Sequence, residues 1–269
     1  MMSATRVRDN QPLTTSTWKE HQLIRKGIAL TFLACAALSI PSSAQTVDEL
    51  IKKNIEARGG LEKLKAIKTM RVTATIHAEG MTLPLVLQIK RPGMVRGDAL
   101  FQGRALVKAY DGETAWQINP FEGAMEPAKL TGYDAKEMIG LGDIDGPLVD
   151  YKAKGNTVEL AGKEELEASP VYKLKVTLKD GDVKYLYLDA QNYLVLKETE
   201  KQKEDGKITD VESVYSNYKA VAGVMIAHAW ETRVNGELDD RTSFEKIEVN
   251  VPVDDSILKM PKKIQEKKP

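Results

Sequence analysis

The spacing of apolar residues along the chain changes near residue 69. Between Val47 and Ile67 the apolar residues recur every three or four positions, which is the spacing of an amphipathic helix. Gly59-Gly60 interrupts this run, and glycine is unfavourable inside a helix because it loses the most backbone freedom there. The pattern therefore predicts two short helices over residues 47–67.

After Thr69 apolar and polar residues alternate, which is the pattern of strands with one buried and one solvated face. The apolar side of the second such strand consists of Leu83, Leu85, Leu87 and Ile89. Four residue pairs are typical of hairpin tips, where glycine accepts positive φ. They are Asp111-Gly112, Asp180-Gly181, Asp205-Gly206 and Asn235-Gly236. We expect about ten antiparallel strands before Asn250.

Residues 126–152 interrupt the alternation and read as short helices and loops. A meander of strands with polar outer and apolar inner sides curls, and its inner face needs a cover. The helical segments 47–67 and 134–152 are available for this purpose. The sequence thus predicts a mainly β (α+β) fold, in which one curved antiparallel sheet is covered by short helices.

The first 44 residues have the features of an export signal. Arg25-Lys26 precedes an apolar run over residues 28–40, and small residues follow as far as Ala44. The apolar run is shorter than the roughly 20 residues that a membrane span needs. We expect cleavage after Ala44, which leaves residues 45–269 as one domain. In the alternative interpretation, Phe32-Leu33-Ala34-Cys35 is a lipoprotein signal and Cys35 carries the lipid.

Composition excludes several classes of protein. The chain has 39 basic and 39 acidic residues and one cysteine. This balance argues against binding to nucleic acid, and a lone cysteine excludes a disulfide scaffold or a zinc ribbon. Without the leader, 34 basic and 37 acidic residues and no thiol remain. The domain must then be stabilised by its hydrophobic core, which a chain of this length can supply.

Few residues carry a recognisable chemical signature. His77 lies on the polar side of its strand, whereas His228 shares a side with Ile226 and Trp230, so it is either a hydrogen-bonded core histidine or a ligand contact. No Gly-x-Ser-x-Gly motif occurs. Asp143-Ile144-Asp145-Gly146 lacks the later ligands of a calcium loop and is predicted to be a solvated turn. We assign no catalytic residue, metal or cofactor.

The strands present a large apolar face to a small helical cover. This face is buried either in a filled core or around a cavity with aliphatic and aromatic walls, which suits an acyl chain. Periodicity alone favours the filled core, because most small barrels and sandwiches have one.

Four segments of the sequence resemble the LolA-like superfamily of bacterial outer-membrane lipoprotein-sorting proteins. Three of them are GGLEKL from Gly59, KRPGMVR from Lys90 and AYDGETAW from Ala109. The fourth, Glu248–Asp255 followed by Met260-Pro261, resembles the closing strand and exit of that family. The resemblance extends over residues 47–261.

The resemblance implies an open half-barrel with helical lid segments 47–67 and 126–152. It also implies a hydrophobic cavity that holds the acyl chains of lipoproteins or similar lipids in transit through the periplasm, and it therefore favours the cavity over the filled core. The residues expected on the cavity wall are Leu83, Leu85, Leu87, Trp116, Val176, Ile226, His228 and Trp230.

These expectations together describe a monomeric, non-catalytic carrier. Its partners would be lipoprotein acyl chains or another lipid, together with sorting proteins of the inner and outer membranes. The alternative is an envelope-stress sensor of the same fold that binds a regulatory protein. An enzyme acting on a lipid is a third hypothesis, but the sequence offers no nucleophile, acid pair or metal ligand set for it.

Overall fold

The computed structural model describes residues 45–204 and 206–262. The predicted cleavage after Ala44 and the alternative lipidation of Cys35 lie outside these residues, and both stay predictions. Asp205, in one of the predicted hairpin tips, also lies outside the described residues.

Two helices begin the described chain, and both lie where the apolar spacing predicts them. Helix α1 covers Val47–Ala57 and helix α2 covers Leu61–Ala66. Thr46 Oγ1 accepts a hydrogen bond from the Glu49 N–H at 3.2 Å, and Glu49 Oε2 accepts one from the Thr46 N–H at 2.9 Å. This capping box satisfies two donors that a helix start leaves unpaired. Gly59, with φ of 111°, separates the two helices.

Strands make up most of the remaining described residues. They are β1 Thr69–Ala78, β2 Met81–Lys90, β3 Met94–Phe101, β4 Arg104–Tyr110, β5 Ala115–Asn119, β6 Ala124–Lys129, β7 Thr157–Leu166, β8 Ser169–Thr177, β9 Val183–Asp189, β10 Val195–Glu204, β11 Lys207–Ser216, β12 Lys219–Val221, β13 Val224–Ile226, β14 Ala229–Val234 and β15 Glu237–Val249. Helix α3 covers Gly132–Gly142, α4 covers Asp255–Leu258, and a 3-10 turn covers Pro120–Glu122.

Thirteen of these strands form one curved antiparallel sheet in the order β6-β5-β4-β3-β2-β1-β15-β14-β11-β10-β9-β8-β7. Strands β12 and β13 form a separate hairpin. The chain enters at the middle of the sheet with β1, proceeds to the edge at β6, crosses to the other edge at β7 and returns to pair β15 with β1. The predicted fold class is confirmed, with more strands than expected.

Several tight turns lack an Asn-Gly or Asp-Gly pair and could not be predicted from the sequence. Glu79-Gly80, Gln102-Gly103 and Glu167-Ala168 each connect two strands, and both residues of every pair have positive φ. That geometry matches the twist of the flanking strands. Asn235-Gly236 forms such a turn, as predicted, whereas Asp111-Gly112 and Asp180-Gly181 lie in longer loops.

The crossing segment, residues 130–156, connects the two edges of the sheet through α3 and a series of turns. The prediction that 126–152 contains no strand is wrong at its start, because residues 126–129 belong to β6. This strand pairs only with β5 among the described residues, and an edge strand tolerates Pro127 because one side of it forms no ladder.

The inner face of the sheet packs in two hydrophobic clusters. In the first, Leu64 of α2 and Met138 of α3 pack against β1, β2 and β3. In the second, Leu50 and Ile51 of α1 pack against the apolar side of β8 and β9. Among the described residues, no helix has the length and apolar run needed to cross a membrane.

Helix α3 approaches the β2–β3 turn closely at its last residue. A Cβ atom added at Gly142 would lie 2.1 Å from the Gly93 carbonyl oxygen, whereas one added at Gly140 would have no neighbour within 4 Å. Both glycines belong to the helix, but Gly142 is its buried last residue, whereas Gly140 is exposed.

We expect Gly142→Ala to lower the free energy of unfolding by about 2 kcal/mol, because backbone must move to admit the methyl group. Gly140→Ala should raise it by about 0.5–1 kcal/mol, since alanine is the better helix former. Urea unfolding of both variants checks this. Equal effects of the two substitutions would contradict the close approach.

Candidate ligand-binding cavity

A cavity of about 300 Å³ lies between the inner face of the sheet and its helical cover. Its volume is at the lower end of the range for small-molecule sites, roughly 300–1,000 Å³. One side is formed by strands β1, β2, β9, β10, β11, β14 and β15, and the other by α1, α2, α3 and the turns after α3. Strand β13 of the separate hairpin also contributes to the lining.

The lining is mainly apolar. Met70 and Val72 of β1 and Ile89 of β2 form part of the wall. Trp230 and Phe244 form another part, and their rings meet edge to face with centroids 4.7 Å apart. Aromatic pairs prefer this arrangement because the edge of one ring is positive and the face of the other is negative.

Three of the eight residues predicted for the wall line this cavity, namely Leu87, Ile226 and Trp230. Leu83 and Leu85 share the inner side of β2 with Leu87 but do not line the cavity. Val176 is also on the inner face, where it is fully buried in the cluster beneath α1.

Trp116 is on the opposite face of the sheet from its neighbour Ala115, which belongs to the inner core. Its Nε1 donates a hydrogen bond to the Leu258 carbonyl oxygen at 3.0 Å, beneath the C-terminal segment. In the same segment, the Ile257 carbonyl oxygen accepts a hydrogen bond from Arg96 Nη1 at 2.8 Å. Trp116 therefore lies on the outer face of β5, where the C-terminal segment buries it.

His228 is buried between β13 and β14 and is not part of the cavity lining. Its Nδ1 lies 2.9 Å from the Ile226 carbonyl oxygen. With Nδ1 protonated, the ring donates a hydrogen bond to that carbonyl and the nitrogen is satisfied locally.

Seven polar residues interrupt the apolar lining: Asn54, Arg58, Asp143, Asp145, Glu198, Tyr215 and Tyr218. The Tyr218 hydroxyl donates a hydrogen bond to the Val195 carbonyl oxygen at 2.6 Å, and burial raises the pKa of Tyr218 to about 12. Burial also raises the pKa of Tyr215. In the part of the chain that the structure describes, no group of three or more His, Cys, Asp or Glu side chains is arranged to hold a metal ion.

The prediction that residues 143–146 form a solvated turn is wrong at Asp145, because its side chain is only 3% exposed. Arg91 binds it through both terminal nitrogens, with Nη2 2.6 Å from Oδ1 and Nη1 2.8 Å from Oδ2. Lys65 Nζ donates to Oδ2 at 2.7 Å. These contacts join the crossing segment to α2 and to the β2–β3 turn. Arg91 further donates to the carbonyl oxygens of Ile67 and Leu64.

The contacts of Asp145 determine the pKa of its carboxyl group. Burial alone would raise the pKa of the carboxyl group, but the hydrogen bonds from Arg91 and Lys65 outweigh it and lower the pKa to about 2. A carboxyl group whose pKa is lower in the folded than in the unfolded state stabilises the fold above its unfolded pKa. That stabilisation is lost as the pH falls toward the folded value.

Arg58 ends helix α1 and reaches into the cavity. Nη1 donates to the Asp145 carbonyl oxygen at 2.6 Å, and Nη2 donates to the Ile144 carbonyl oxygen at 3.3 Å. Burial lowers the pKa of the guanidinium group, although an arginine stays protonated at neutral pH.

No protein-family model and no curated protein matches the sequence. Solved structures resemble it in fold. A LolA superfamily protein from Nitrosomonas europaea has 15% identity and a TM-score of 0.55, with 80% of this chain and 98% of the other covered. A DUF1329 family protein from Desulfovibrio piger has 14% identity and a TM-score of 0.56, with the same coverage.

A third similar structure, from Vibrio parahaemolyticus, is a domain assigned to an outer membrane lipoprotein-sorting protein. It has 12% identity and a TM-score of 0.51, and 77% of this chain and 97% of the other are covered. At such low identity these similarities define the fold. The chain has a LolA-like fold, which confirms the resemblance noted in the sequence.

We expect Asp145→Asn to lower the free energy of unfolding at pH 7 by about 3 kcal/mol, because Arg91 and Lys65 lose their buried carboxylate. Wild-type protein should also lose about 1 kcal/mol more than the variant between pH 6 and pH 3, since Asp145 titrates only in the wild type. Urea unfolding across this pH range measures both effects.

Asp210→Asn is the matched control. Asp210 pairs with Lys201 at the surface, where both side chains are more than half exposed. Its substitution should change stability by less than about 1 kcal/mol. A similar loss in both variants would show that the Asp145 contacts contribute no more than a surface ion pair does.

Proposed function

We propose that this protein is a periplasmic carrier that binds the acyl chain of a lipid or lipoprotein. The observation that supports the proposal is the mainly apolar cavity of about 300 Å³ beneath a helical cover. A site of this kind removes an apolar ligand from water without any covalent chemistry. The LolA-like fold is consistent with such a role but does not by itself identify a cargo.

The physical need for a carrier follows from the hydrophobic effect. Burial of one methylene group contributes about 0.8 kcal/mol, so a chain of about 16 carbons represents on the order of 12 kcal/mol that must stay buried in transit. A covered cavity meets this need. The cover consists of separate short helices, so its displacement would release the cargo without unfolding the sheet.

The location and partners of the carrier belong to the same proposal. The apolar run before Ala44 supports export, and the acyl chains of lipoproteins or another lipid are the proposed cargo. Sorting proteins of the inner and outer membranes would supply and receive it. The domain from Vibrio parahaemolyticus, assigned to lipoprotein sorting, supports this class of cargo.

We expect a fatty acid brominated in mid-chain to quench Trp230 and leave Trp116 unaffected. Trp230 lines the cavity, whereas Trp116 lies beneath the C-terminal segment on the other face. Bromine quenches indole fluorescence only near contact, so a double Trp18→Phe, Trp116→Phe variant should show saturable quenching. Its counterpart, Trp18→Phe with Trp230→Phe, should show none. Quenching of both would place the ligand elsewhere.

We also expect Ala227→Phe to weaken binding of a fluorescent fatty acid by about tenfold or more. Ala227 lines the cavity, and a phenyl ring there would occupy ligand space. Overpacking costs about 1–3 kcal/mol, and 1.4 kcal/mol corresponds to tenfold in affinity. Ala220→Phe is the control, because Ala220 is exposed on the neighbouring strand β12. Equal affinities of the two variants would argue against the cavity as the binding site.

A further inference from the structure

The cavity lining contains one basic side chain within the described residues, and that side chain is Arg58. Its two hydrogen bonds end on backbone carbonyl oxygens of the crossing segment. No carboxylate of the described residues lies within ion-pair distance of it, in contrast to Arg91 on the other side of Asp145. Arg58 is therefore a cation beside an apolar space that forms no ion pair in the described part of the chain, although the charges of Asp145 and Asp143 favour its protonated form from a greater distance.

The acidic groups of the lining pair with other cations. Asp143 pairs with Lys154 at 2.5 Å, and Glu198 pairs at 2.6 Å with Lys184, which also pairs with Glu200 at 3.0 Å. Asp145 is held by two cations, one through a bidentate contact and one at 2.7 Å. Each of these carboxylates thus has a cation closer to it than Arg58 is.

The guanidinium group of Arg58 also has unused donors. A guanidinium carries five N–H groups, and the described residues accept hydrogen bonds from two of its nitrogens, Nη1 and Nη2. Nε donates to none of the described residues. Among these residues, the only buried side-chain atom without a hydrogen-bond partner is Gln45 Oε1, so Nε is not fully buried. Nε is therefore accessible, and Arg58 lines the cavity.

A cation beside an apolar space is unfavourable unless an anion pairs with it. Carboxylate and phosphate groups fit a guanidinium because both present two oxygens to parallel N–H donors. The apolar wall formed by Met70, Leu87 and Trp230 in the same cavity suits a hydrocarbon chain. One ligand can satisfy both features if it joins an anionic head to an apolar chain.

We propose that the cavity binds a single-chain amphiphile with an anionic head, a carboxylate or a phosphate monoester, and that the head pairs with Arg58. This inference rests on the proposed lipid-binding function and, of the two cargoes proposed there, selects a free lipid over a lipoprotein. The cavity volume of about 300 Å³, at the lower end of the range for small-molecule sites, is the reason to propose one chain rather than several.

The test compares ligands that share a chain and differ in the head. Binding of decanoate, decyl phosphate and decanol, whose shorter chains stay monomeric in water at usable concentrations, is measured with the whole protein at pH 8 by calorimetry. At least one anion should bind about tenfold or more tightly than the alcohol, because charge-assisted hydrogen bonds are the stronger ones. The anion that binds more tightly indicates whether the natural head group is a carboxylate or a phosphate monoester.

Variants of Arg58 separate charge recognition from a structural role. Arg58→Met should bring the affinities for the anion and for decanol close to each other, and Arg58→Lys should retain part of the preference for the anion. If Arg58 only ties α1 to the crossing segment, its loss would weaken all three ligands alike, and the inference would be overturned.

The possible failures are distinguishable. Equal binding of anion and alcohol by the wild-type protein overturns the anionic ligand class while the lipid-binding function stands, and this comparison needs no variant to fold. Absence of binding by all three ligands overturns the proposed function and the inference together.

Discussion

The inner face of a thirteen-stranded open sheet is wider than the helices that cover it, and the cavity follows from this mismatch. Helix α1 covers the half of the sheet around β8 and β9, while α2 and α3 cover the half around β1, β2 and β3. The two covers build separate hydrophobic clusters. The cavity is lined by members of both, such as Met70 from the first cluster and Leu186 from the second. It therefore occupies the junction that neither cover fills.

A cover of this size needs attachment beyond apolar packing. Helix α2 has six residues and buries one of them, Leu64. The buried carboxylate of Asp145 supplies the attachment, since it binds Lys65 on this helix and Arg91 on the β2–β3 turn. Burial of an ion pair is costly, and the bidentate geometry with further bonds to backbone carbonyls is the arrangement that offsets the cost. The contact also sets where the crossing segment lies over the sheet.

The parts of this fold that depend on neighbours in sequence could be predicted from the sequence, and those that depend on distant partners could not. Alternation predicted the strands, and Gly59-Gly60 predicted the break between α1 and α2. Successive residues of a strand face opposite sides, as Ala115 and Trp116 of β5 do. The choice between the sides depends on the C-terminal segment, which is more than 130 residues away. Asp145 was read as solvated because its partners lie 54 and 80 residues away.

The similarity of fold leaves the cargo open, because ligand choice depends on the lining rather than on the strand order. Here the lining is uneven. On the sheet side, β1, β2, β14 and β15 contribute apolar residues, whereas Glu198 of β10 and Tyr215 of β11 are polar. On the cover side, the polar residues come from the end of α1 and the turns after α3. Because its apolar and polar residues are separated, the cavity can orient a ligand that has an apolar chain and a polar head. A uniformly apolar cavity of the same fold could bury such a ligand but could not orient it.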